Sequence, residues 1–156
     1  MMSNPYAVYQ TDTNLEVSGV WLVEEDFRVK IARAGGANEK YNKRSTALIK
    51  PHKRAIDLGV FPKDMDEKLT RQLYIETVVL EWEVLDREKT SGEDRVYHAN
   101  SIRKFPTGEI IPFTREACDE VLKNATELMR YLMGQANDVS VFRGQTADEA
   151  EEDVKN

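Results

Sequence analysis

The stretch Phe27 to Arg54, FRVKIARAGGANEKYNKRSTALIKPHKR, decides how the chain is read, because it begins as a strand, breaks at two glycines and resumes as a basic helix. In its first part Phe27, Val29 and Ile31 alternate with Arg28 and Lys30, with Arg33 following. That is the two-residue period of a half-buried strand with one wet, basic face. Just upstream, Gly19-Val20-Trp21-Leu22-Val23 is another β-rich run, and the acidic tripeptide Glu24-Glu25-Asp26 between the two predicts a β-hairpin. After Gly35-Gly36, Asn38 can cap a helix that starts near Glu39 and keeps Tyr41, Ser45, Leu48, Ile49, His52 and Ile56 on one side at steps of three and four. Pro51 lacks an amide donor and crowds the preceding turn, which predicts a kink or restart, and Gly59 predicts a stop.

The charge of this block is the second signal. Nine cations (Arg28, Lys30, Arg33, Lys40, Lys43, Arg44, Lys50, Lys53, Arg54) face one acid, Glu39, for a balance of +8; the whole chain carries -6, so the remainder carries -14. A basic face and acidic surfaces on one chain suit pairing between copies or an acidic protein partner. Arg28, Lys30, Arg33, Lys43, Arg44, Lys53 and Arg54 are therefore the candidate self- or partner interface. Nucleic-acid binding competes for the same cations, but only Phe27 and Tyr41 interleave with them and no nucleic-acid motif accompanies them, which disfavours it.

Outward from the block, Asp64 and Glu67 have capping-box spacing and predict a second helix through Leu69, Leu73, Val79, Leu80 and Trp82, with Tyr74, Val78 and Trp82 as a further stripe at steps of four. Residues 86 to 113 hold turn signals at Ser91-Gly92 and Pro106-Thr107-Gly108, and the latter predicts a small hairpin of Ile102–Phe105 with Glu109–Pro112. Thr114 then caps the strongest helical pattern, with Cys118, Val121, Leu122, Ala125, Leu128, Met129, Leu132, Ala136 and Val139 on one face and Asn124 as a potential break.

A chain of 156 residues with 40% hydrophobic residues can build one domain with a core and is short for two. The expected organisation is a flexible arm over residues 1–17, a globular domain over 18–143 and an acidic flexible tail over 144–156, too poor in large apolar groups to offset the entropy of ordering. The expected fold is α+β, mainly α-helical, with the N-terminal hairpin packed on a bundle of about four helices. No apolar run reaches membrane-spanning length and the N-terminus has no secretory pattern, so a soluble protein is expected. The single cysteine, Cys118, precludes an internal disulfide or a cysteine zinc cage and fits a reducing cytosol.

Catalytic signals are weak throughout. Gly35-Gly36 matches neither the Rossmann nor the Walker glycine spacing; His52 and His98 have no ligand partners at metal spacing; the serines lie in no nucleophile motif. Glu24-Glu25 and Glu81-Glu83 read as exposed carboxylates, and Met129, Met133 and Trp82 as core. No catalytic residue, cofactor or metal is assigned, and a non-enzyme is expected.

Five patches in fixed order carry a resemblance: GVWLVEEDFRVKIARAGGANEKYNKR, IKPHKRAIDLGV, LYIETVVLEWEVLD, TGEIIPFT and QANDVSVFR, followed by a terminal DVKN. Together they resemble the tail assembly chaperones of long-tailed bacteriophages, over about Gly19 to Arg143 and the last few residues. Lys30-Ile31-Ala32-Arg33 matches the family's strand end, Trp82 its helix-end tryptophan, and Ala136, Asn137 and Phe142 its closing helix. The stretch from Arg87 to about Arg103 departs from the pattern as an insertion. The resemblance implies a non-catalytic chaperone, a homo-oligomer, that coats the tape measure protein, keeps it soluble and gives way to tail tube subunits. It further implies action in the cytoplasm of the host bacterium, absence from the mature virion and, often, a longer frameshifted form that recruits tube subunits. A small nucleic-acid-binding phage regulator and a structural virion component are the alternatives.

Overall fold

A computed structural model describes Tyr6 and residues 9–144. In chain order the elements are α1 (Thr13–Ser18), β1 (Val20–Val23), β2 (Phe27–Ile31), α2 (Glu39–Ile49), a 3-10 turn (Lys50–His52), α3 (Lys53–Asp57), α4 (Lys63–Thr77), β3 (Val79–Leu85), β4 (Tyr97–His98), β5 (Ser101–Arg103), β6 (Ile110–Pro112), α5 (Arg115–Asn124), α6 (Thr126–Ala136) and a final 3-10 turn (Val139–Phe142). The fold is helices with small antiparallel sheets.

Local chemistry explains many of the boundaries. The acidic tripeptide turns β1 into β2, which pair from Val20 with Ile31 to Val23 with Arg28. The Asn38 side chain accepts from Tyr41 N and opens α2, and that of Thr114 accepts from Ala117 N and opens α5. Pro51 lies in the 3-10 turn that separates α2 from α3, as its missing donor requires. Gly59, at φ 70°, follows the end of α3. α4 opens at Lys63 behind Pro62, without a side-chain cap, and carries Asp64 and Asp66 in its first turn, where carboxylates favour the helix dipole. β5 and β6 form the expected small hairpin, three residues a side. α5 ends at Asn124 and α6 begins at Thr126, so the long C-terminal pattern is two helices.

The reading of one helix from Asp64 through Trp82 is corrected. α4 ends at Thr77 and Val79–Leu85 is a strand, so Trp82 stands in a sheet. β3 pairs with β2, and Lys30 faces Glu81 while Ile31 faces Val79, leaving Leu80 as an extra, bulged residue. The bulge resets the two-residue parity. Val79, Trp82 and Val84 all point inward, at 5%, 3% and 0% exposure. Glu81 and Glu83 point outward opposite Lys30 and Arg28. The irregular spacing of inward residues imitates a helical stripe.

The hairpin is accordingly half of a four-stranded sheet, ordered β1-β2-β3-β4, in place of a hairpin set on a bundle of about four helices. Its inner face (Val29, Ile31, Trp82) joins Tyr74, Ile75 and Val78 of α4, Cys118 and Leu122 of α5, and Met129, Leu132 and Ala136 of α6 in one hydrophobic cluster closed by Phe142. Trp82 stacks on Phe27 at 5.2 Å and on Phe113 at 6.1 Å.

The expected flexible arm is also corrected in part, because Thr13–Ser18 is a helix capped by the Asp12 side chain and Glu16 is only 2% exposed. It is held by polar bonds, which leave no apolar period in the sequence: Asp12 N donates to Phe142 O at 2.7 Å and Arg33 N to Glu16 O at 2.9 Å. Residues 1–5, 7 and 8 of that arm and residues 145–156 of the acidic tail lie outside the described residues.

Candidate binding groove

The structure divides the seven candidate interface cations into two sets. Arg28 meets Glu83 at 2.6 Å and lies between the rings of Trp21 and Tyr97, at 4.1 and 4.2 Å from their centres. Lys30 meets Glu81 at 3.2 Å, Arg33 meets Glu16 at 3.3 Å, and Arg44 meets Glu76 at 2.7 Å. These four are matched inside the chain. Lys43, Lys53 and Arg54 take part in no ion pair among the described residues, and they lie on α2 and α3.

The glycine turn before α2 already holds an anion, and it is the chain's own. The buried Glu16 carboxylate accepts from Ala37 N at 2.7 Å, from Thr11 Oγ1 and from Arg33 Nη1. Burial acts to raise its pKa, but the bonds from Thr11 and Ala37 and the Arg33 charge outweigh that and leave it below the ordinary glutamate value. Gly36, at φ 54°, passes so close to Glu16 Oε2 that a Cβ would overlap it. The strand–glycine–helix junction is therefore a structural lock between α1 and α2.

Other titratable groups that invite a chemical reading are placed in packing roles. Cys118 is fully buried, and burial pushes its thiol up to about 12. Tyr74 is likewise pushed up to about 12 by burial, with Asn137 Nδ2 donating to its hydroxyl oxygen. The His52 ring packs on Phe61, and His98 Nε2 lies 3.8 Å from Asp86. Arg95 donates to the carbonyls of Glu24 and Glu25, and Asp26 accepts from Arg87 and Arg103, which ties the 87–103 stretch to the hairpin turn. Among the described residues no group of three or more His, Cys, Asp or Glu can hold a metal ion, and no helix is long and apolar enough to cross a membrane.

An open groove lies between α2–α3 and α4. Tyr41 sets its ring edge-on to Tyr74 at 5.9 Å and Arg44 pairs with Glu76, so the first turns of α2 are clamped to the last turns of α4. Away from that clamp the helices leave a groove of about 520 Å³, walled by Leu48, Ile49 and Ile56 on one side and Leu69 and Leu73 on the other, with Phe61 at one end. No residue from Glu39 to Val60 is buried. Yet Ile49, Ile56, Leu58, Val60 and Met65 expose between 38% and 67% of their surface around this groove and the loop that ends it.

The apolar side of this amphipathic helix pair is left partly open to solvent. The apolar positions Tyr41, Ser45, Leu48, Ile49 and Ile56 were legible as one side of a helix; Leu58 and Val60 were not, because they flank Gly59 in a turn that has no period, nor was Met65 in the first turn of α4. The apolar pair Leu58 and Val60 on either side of the glycine stop was the available signal. No family model, curated protein or solved structure matches this chain.

Proposed function

We propose that the protein is a non-catalytic tail assembly chaperone that seats the apolar side of an amphipathic helix in the α2–α3/α4 groove, its partner being the tape measure protein of a long-tailed bacteriophage. The observation that carries this reading is the groove itself, whose apolar walls are left open by helices that bury none of their own residues between Glu39 and Asp57. A groove of this kind takes helical segments by anchors at steps of three, four and seven, each contact weak and reversible, as coating a long helical protein requires. The five ordered sequence patches that resemble such chaperones supply the identity of the partner.

On this reading several copies coat one tape measure protein in the host cytoplasm, hand it to tail tube subunits, and leave before the virion is complete. The intramolecular pairing of Arg28, Lys30, Arg33 and Arg44 takes four cations away from a nucleic-acid reading and leaves Lys43, Lys53 and Arg54, on α2 and α3, without an ion pair among the described residues. Co-expression with the tape measure protein of the same genome is the test. A soluble complex with many copies of this chain per partner is expected; a partner that aggregates as it does alone would overturn the proposal.

A further inference from the structure

The four-stranded sheet has β1 at one edge, where among the described residues it pairs with β2 alone. At the mouth of the hairpin Glu24 N donates to Phe27 O at 2.8 Å. Bonded and non-bonded pairs alternate along an antiparallel ladder. Leu22 and Val20 therefore exchange their backbone bonds with Val29 and Ile31, while Trp21 and Val23, opposite Lys30 and Arg28, turn their N–H and C=O groups away from β2 and toward the edge. Val23 is 56% exposed there.

Sheets that stay single guard an edge with a Lys, a Pro, a bulge or a very short strand. β4, at the opposite edge, is only two residues long. β1 carries none of these guards: Val20-Trp21-Leu22-Val23 has no charge and no proline, and its register with β2 runs without a shift. The strand is also its own complement. A second copy laid antiparallel, with a two-fold axis at Leu22, sets Trp21 of each chain opposite Val23 of the other as bonded pairs, so that every outward N–H and C=O of Trp21 and Val23 in both copies is used. On the outer face this puts the exposed Val23 beside the Trp21 ring of the other copy, an aromatic on a β-branched residue, which is a favoured cross-strand pair. No like charges meet across the seam, because Arg28 and Lys30 stand one strand back and are matched by Glu83 and Glu81.

We propose that two copies of this chain join edge to edge through β1, antiparallel about Leu22, into one continuous sheet ordered β4-β3-β2-β1-β1-β2-β3-β4. The seam is short, so the dimer belongs to the class that buries less than about 1,200 Å² and exchanges with monomer. The inference does not depend on the groove, which is built from α2, α3 and α4. It adds that the dimer carries two grooves on one rigid sheet.

The test follows the free full chain by sedimentation velocity and amide hydrogen exchange at protein concentrations up to about 1 mM. The dimer fraction should rise with concentration, and exchange of the Trp21 and Val23 amides should slow in step with it, while the Leu22 amide, already directed at Val29, stays constant. Val23→Pro removes an outward donor and no donor to β2, so it should keep the far-UV spectrum and weaken dimerisation by about tenfold or more. A chain that is monomeric at every concentration would overturn the proposal, as would a Val23→Pro variant that folds and dimerises like the wild type. Should that variant fail to fold, the wild-type amides decide. Trp21 and Val23 amides that exchange alike in monomer and dimer would put the contact on another surface; amides slow at every concentration would mean that the chain covers its own edge, and either result overturns it.

Discussion

Trp82→Ala is the substitution that most sharply separates the observed architecture from the helical reading of residues 78–85. Trp82 is 3% exposed, stands opposite Val29 in the sheet, and is stacked on Phe27 with an interplanar angle of 7° and on Phe113 with one of 21°. Truncating a buried aromatic costs about 3–5 kcal/mol, and two offset stacks of about 0.5–1.5 kcal/mol each place Trp82 in the upper half of that range. At about 2–4 °C per kcal/mol for a chain of this size, a loss of about 4–5 kcal/mol lowers Tm by roughly 8–20 °C. Trp21 is the internal control. It lies on the outer face, where its ring stacks on the Arg28 guanidinium, a contact of about 1 kcal/mol or less. Urea unfolding of both variants, followed by far-UV circular dichroism because tryptophan fluorescence changes with the mutations themselves, gives the comparison. A Trp82→Ala protein within about 1 kcal/mol of the wild type, or one less affected than Trp21→Ala, would refute the placement of Trp82 at the centre of the sheet.

Three more outcomes follow from the polar contacts. Glu16, Asp26 and Glu76 all titrate below their ordinary values: Glu16 for the reasons given above, Asp26 chiefly through its bond from Arg103, and Glu76 chiefly through its bond from Arg44. Because the folded values lie below the unfolded ones, their contribution is complete above the ordinary value of 4.5 for glutamate and 3.8 for aspartate and is lost as pH falls through the folded values. Tm should therefore hold from neutrality to about pH 5 and fall below it, less steeply in Glu16→Gln; a Tm unchanged at pH 3 would contradict this. Gly36→Ala should cost at least the roughly 1–2 kcal/mol of a left-handed non-glycine residue plus displacement of Glu16, and so more than Gly92→Ala, which meets nothing within 4 Å. Equal melting of the two would discredit the lock. Lys43→Glu, Lys53→Glu and Arg54→Glu combined should leave Tm nearly unchanged and weaken tape measure binding, whereas Arg44→Glu should lower Tm because it faces Glu76; intact binding by the triple variant would remove these cations from the proposed interface.

Much of the fold was legible because it is set by neighbours in the chain. The hairpin around Glu24-Glu25-Asp26, the caps at Asn38 and Thr114, the restart at Pro51 and the break after Asn124 depend on side chains within a few residues of the backbone they direct. The helix-to-strand change at Val78 was hidden by the Leu80 bulge, which spoils the alternation that marks a strand. β4 is two residues long and shows no period at all.

The candidate site divides the same way. The basic block and the apolar side of α2 could be read from the sequence, but charge counting could not tell which cations are paired within the chain. Arg28 and Glu83 are 55 residues apart and meet only because β2 and β3 are neighbours; Arg44 and Glu76 meet across two helices. Leu58 and Val60 complete the apolar surface from a turn, where exposure and not periodicity marks them. Glu16 holds the glycine turn from a polar helix of six residues whose sequence gives no sign of burial.

The central claim is that the α2–α3/α4 groove seats the partner helix. Amide hydrogen exchange of this chain, free and in complex with the tape measure protein, tests it most directly. The account predicts slowed exchange over residues 45–73, which wall the groove, with the outer sheet face around Trp21, Lys30 and Glu81 unchanged. Protection confined to that sheet face, with the groove exchanging as it does in the free protein, would contradict it.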